Sequence, residues 1–74
     1  MPIVARLRIA PPLIAEYTHA IQLDAGFALA YLNRGIAHEQ RGDTNAAAED
    51  YRRALAIDPA VGAAQGRLKH LQSQ

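Results

Sequence analysis

The apolar positions of this chain fall in helical register over most of its length. Leu13, Ile14, Tyr17, Ala20 and Ile21 recur at i, i+1, i+4, i+7 and i+8, a single stripe of a first helix. Pro11 and Pro12 favour its start, because proline lacks only the amide hydrogen that a first helical turn leaves unused. Asp24-Ala25-Gly26 closes it. A second helix is expected over 27–41, with Gly42 placed to supply a left-handed turn. Asp43 or Thr44 then caps a third helix over 44–57, whose inward stripe is Ala47, Tyr51, Ala54 and Leu55. Asp58-Pro59 stops that helix, since the residue before a proline is pushed out of helical geometry. A fourth begins between 60 and 62 and runs to 72, with Ala64, Leu68 and Leu71 on one side. Residues 1–10 are ambiguous. Ile3, Ala5, Leu7 and Ile9 alternate with Arg6 and Arg8 as a strand would, and a helical turn or a disordered arm fits equally.

The second and third helices are not independent of the first. Tyr17, Ala20, Ile21, Leu23 and Asp24 recur as Tyr51, Ala54, Leu55, Ile57 and Asp58, a constant offset of 34 residues. An offset of that size means stacked helix pairs, and such stacks present surfaces. The predicted fold class is therefore all-α, with antiparallel helix-turn-helix units stacked as a short solenoid. The predicted organisation is an N-terminal arm at 1–10, the second helix of a truncated first unit at 11–26, a complete unit at 27–61, and a capping helix with its tail at 62–74.

Composition narrows the classes of partner. The chain has 74 residues, eight Lys and Arg against seven Asp and Glu, and a formal net charge of +1. That balance offers no electrostatic footprint for nucleic acid or for a membrane surface, and the largest basic cluster is Arg52–Arg53. No apolar run approaches the roughly 20 residues needed to span a bilayer. There is no cysteine, which excludes a disulfide framework and thiolate metal sites and is compatible with a reducing compartment. The expectation is a cytoplasmic protein.

The complete unit carries a pattern of large and small residues: Tyr31, Gly35 and His38 in its first helix, Gly42 at the turn, and Ala47, Tyr51, Ala54 and Pro59 in and after its second. In this order and spacing the chain resembles the tetratricopeptide repeat family. The resemblance covers 11–72 as half a unit, one whole unit and another half. It departs from the family at Arg34, where an aliphatic residue is usual, at His38, where a ring is usual, and at Ala25, where a proline would end the preceding unit. It implies that Gly35 and Ala47 mark the closest approach of paired helices, and that a concave face formed by first helices binds a protein or peptide. Leu29, Leu32, Asn33, Ile36, Glu39 and Gln40, joined by Ala63, Arg67 and His70, hold the groove-lining places. Leu29, Leu32 and Ile36 read as an apolar stripe that packing within the pair does not require, or else one covered by neighbouring helices. The resemblance also raises a clamp for a peptide's C-terminal carboxylate at Asn33 and Arg67, which are 34 apart. Ala63 and the missing first helix leave that clamp incomplete.

Other chemistry has little support in the residues. His19, His38 and His70 lack the i, i+4 spacing of a helical metal site. Glu49 and Asp50 are adjacent and so point to different sides of a helix. Nothing resembles a phosphate loop or a nucleophile elbow. The expectation is a non-enzymatic interaction module without cofactor or metal. Its first helix is apolar at Leu13, Ile14, Tyr17 and Ile21 with no complete partner preceding it, so a homodimer through that end is expected, or coverage by the arm at 1–10. The alternative is that the chain is a structural segment of a larger scaffold of such repeats.

Overall fold

The computed structural model describes residues 13–73. The expected arm at 1–10 and the helix start at Pro11–Pro12 lie outside the described residues. Four helices follow in order: α1 (Leu13–Leu23), α2 (Ala28–Gln40), α3 (Thr44–Ile57) and α4 (Gly62–Gln72), with no strand among the described residues. Each helix packs on the next, α2 against α3 most extensively, so α2 and α3 form the central pair with α1 and α4 on its flanks.

The turn between α2 and α3 follows from two residues. Gly42 has φ +84°, a left-handed conformation that costs glycine little. It lets the Gly42 amide donate to the Glu39 carbonyl at 3.0 Å and the Asp43 amide to the His38 carbonyl at 2.9 Å, which satisfies two orphan carbonyls at the end of α2. Asp43 caps α3 in the same stroke, its Oδ1 accepting from the Ala46 amide at 3.2 Å.

The 34-residue echo is present in the backbone as well as in the side chains. At the end of α1 the Asp24 amide donates to Ala20 and the Phe27 amide to the Asp24 carbonyl; at the end of α3 the Asp58 amide donates to Ala54 and the Val61 amide to the Asp58 carbonyl. Asp24 Oδ1 accepts from the Gly26 amide and Asp58 Oδ1 from the Ala60 amide, each at 3.0 Å. The aspartate side chain thus folds both turns, and Ala25 makes the same turn that Pro59 makes.

The core is small and built on α3. Ala47, Tyr51 and Ala54 are completely buried, with Tyr31 and Leu32 from α2 and Ala64 from α4 against them. Gly35 is where α2 comes nearest: a Cβ added there would stand 2.6 Å from Tyr51 Cε1. The Tyr51 ring therefore lies directly on the α2 backbone, a place that only glycine leaves open.

Candidate functional site

Between the helices runs a polar tie that apolar patterning alone does not reveal. Arg34 on α2 donates from Nε to Asp50 Oδ2 and from Nη2 to Asp50 Oδ1, both at 2.8 Å, a bidentate grip on a carboxylate whose side chain is only 4% exposed. Its third nitrogen, Nη1, donates to Thr18 Oγ1 on α1 at 3.2 Å. The guanidinium carbon lies 5.6 Å from the Tyr31 ring centre. The hydrogen bonds to Asp50 hold the Arg34 pKa above its ordinary value, against the opposing effect of burial. One side chain thus joins α1, α2 and α3. His38, one turn further along α2, sits with Nε2 3.7 Å from Asp50 Oδ2. Arg34, which looked like an anomaly in an aliphatic place, is the partner that lets Asp50 be buried. The readable signal was an acid and a base beside the two contact residues, Asp50 next to Tyr51 and Arg34 next to Gly35.

A second polar contact joins α2 to α3 and α4. The Tyr51 hydroxyl donates to Glu39 Oε1 at 2.6 Å, and Arg67 Nη1 reaches the same oxygen at 3.4 Å. Burial raises the Tyr51 phenol to about 12, reinforced by the Glu39 carboxylate it donates to. Glu39 and Arg67, both expected to line a groove, are engaged with each other within the chain. For the carboxylate clamp this matters directly, since Arg67 already faces a carboxylate.

The groove-lining set divides by exposure. Leu29 is 53% exposed, Gln40, Ala63, Arg67 and His70 are exposed, and Asn33, Ile36 and Glu39 are half-buried. Leu32 is a correction: it is 7% exposed and belongs to the core, with Ile36 packed against that core. The stripe Leu29-Leu32-Ile36 is thus not free of packing duty. Leu32 faces inward because the α2–α3 contact and the flanking helices wrap more than one side of α2. Of the residues expected to mark repeat packing, Tyr31, Gly35, Ala47, Tyr51 and Ala54 are buried, His38 is half-buried, and Gly42 and Pro59 stand at the exposed turns.

At the α1 end the set expected to self-associate also divides. Leu13 is 55% exposed, Ile14 and Tyr17 are half-buried, and Ile21, also half-buried, packs against the core cluster. Leu23, which the periodicity did not single out, is 75% exposed, and no residue of α1 is buried. Among the described residues no group of three His, Cys, Asp or Glu is placed to hold a metal ion, and no helix is long and apolar enough to cross a membrane.

Antiparallel helices joined by a glycine turn, stacked through a buried tyrosine on a glycine and repeated at a fixed offset, define a helical-repeat module. Residues 28–60 match the family model described as Tetratricopeptide repeat, and this unit is similar to a repeat of that family. No curated protein and no solved structure matches the chain. Repeats of this family are typically non-catalytic protein-interaction modules.

Proposed function

We propose that the chain is a non-enzymatic adaptor that binds a segment of another protein across the face formed by α2 and α4, and that it also self-associates through its α1 end. The observation that carries the first part is Leu29, more than half exposed on a helix whose opposite side is committed to α3. Asn33 and Ile36 follow it at i+4 and i+7, and Gln40, Ala63, Arg67 and His70 extend the same face. Apolar contact from Leu29 and Ile36, with hydrogen bonding from Asn33 and Gln40, suits a peptide-like partner laid along the helix. The reading sets the module in the cytoplasm, on the sequence grounds of its scattered charges and cysteine-free composition.

The test is capture by the immobilised chain from a lysate, compared with Leu29→Asp at matched circular dichroism. Retained helicity with lost capture supports the face; equal capture by both proteins rejects it. A second reading, a segment of a longer repeat array, is favoured by the contrast between α1 and its counterpart. Ala47, Tyr51 and Ala54 of α3 are fully buried, whereas Leu13, Tyr17 and Ala20 are not.

A further inference from the structure

The two ends of the stack differ in chemistry, and the difference identifies the partner of α1. At the α4 end, Gln65, Lys69 and Gln72 occupy the places that Tyr31, Gly35 and His38 occupy on α2, 34 residues earlier, and all three are exposed. Lys69 stands where α2 has the glycine whose missing Cβ admits the Tyr51 ring. This face is polar and lacks the notch for a further second helix, so α4 cannot receive α1 of another copy, and head-to-tail growth is blocked.

At the α1 end the chemistry is reversed. Ile14, Thr18 and Ile21 lie on the side toward α2, with Thr18 held by Arg34 and Ile21 on the core. On the other side Leu13, Glu16, Ala20 and Leu23 follow at i, i+3, i+7 and i+10, the spacing of a helix-pairing seam. Leu13 takes the place that fully buried Ala47 takes on α3, so a first helix approaching as α2 approaches α3 would meet a leucine where the repeat has an alanine. The seam is instead complementary to itself when reversed. An antiparallel pair with its two-fold axis at Thr18 sets Leu13 of one copy on Leu23 of the other, twice, joining the two most exposed apolar residues of the helix. It also brings Glu16 beside the other copy's Ala20 and His19, so each carboxylate meets an imidazole N–H. A parallel pair would stack Glu16 on Glu16.

We propose that α1 is a closed two-fold contact at which a second copy of this chain docks antiparallel, Leu13 against Leu23 and Glu16 beside His19. This deepens the self-association of the proposed function and rests on it. The contact is small, one 11-residue helix against another, so it is of the weak class.

Because the chain has no cysteine, single thiols report the geometry cleanly. Full-length Leu13→Cys and Leu23→Cys are mixed under oxidising conditions, and wild type is sedimented in parallel. The expected result is a disulfide-linked mixed dimer well in excess of either homodimer, a wild-type mass that stops at two chains, and association at least about tenfold weaker in Leu23→Glu. Homodimers dominating the mixture, or a mass that grows beyond two, overturns the antiparallel closed contact while self-association stands. A wild-type monomer with no crosslink removes self-association itself.

Discussion

Arg34 grips Asp50 with two 2.8 Å hydrogen bonds across the α2–α3 contact, and Asp50 has only 4% of its side chain exposed. A buried carboxylate without its partner carries most of its desolvation cost uncompensated. Arg34→Ala is therefore expected to destabilise the fold by roughly 3 kcal/mol, measured by urea unfolding. Replacing both members, Arg34→Leu with Asp50→Leu, should recover most of that loss, because apolar residues there need no partner. A single variant within about 0.5 kcal/mol of wild type would show that the tie contributes nothing.

Gly35 is the second sensitive position. Its backbone lies against a ring that cannot retreat freely, since the Tyr51 hydroxyl is held by Glu39 at 2.6 Å. Gly35→Ala is expected to lower stability by about 1–3 kcal/mol despite the better helix propensity of alanine, and Gly35→Leu should abolish the cooperative transition seen by circular dichroism. A stabilised Gly35→Ala would mean that the helices are further apart than described.

How far the chain can be read without coordinates depends on which residues carry the information. The helices and the Gly42-Asp43 turn are local: spacing, one glycine and one capping aspartate decide them. Gly35 and Ala47 could be set at the closest approach only through the resemblance to the repeat family, not from spacing. Arg34 with Asp50 was not legible, because an ion pair 16 residues apart needs the helix rotations to be known. For Leu32 the two readings, an open stripe or one covered by neighbouring helices, stay unresolved in the sequence for a related reason. Periodicity finds one stripe well, but α2 is flanked by neighbours, and its second apolar line is divided between core (Leu32) and surface (Leu29).

That division makes a prediction about binding. Leu29→Asp alters an exposed side chain and should leave thermal unfolding within about 0.5 kcal/mol of wild type while weakening partner capture. Leu32→Asp, by contrast, buries a charge and should unfold the chain. If Leu32→Asp folds normally and loses only binding, Leu32 lines the groove after all.

Tyr51 predicts an alkaline signature. Its phenol titrates near 10 in an unfolded chain and at about 12 in the fold, where burial and then Glu39 disfavour the phenolate. Between those values the unfolded chain loses this proton and the folded one keeps it. The contribution of Tyr51 is thus complete below pH 10 and declines as pH rises towards 12, by about 1 kcal/mol per unit. Phenolate absorbance should show a step near pH 12 in wild type that is absent from Tyr51→Phe. A folded protein with every tyrosine ionised by pH 11 would contradict this.

The most direct test of the whole account is a solution NMR measurement of nuclear Overhauser contacts between the Gly35 α-protons and the Tyr51 ring. Two helices folded back at Gly42 predict strong cross-peaks and a ring-current shift of the Gly35 signals. An absence of both, with helical contacts running unbroken through 41–43, would contradict it.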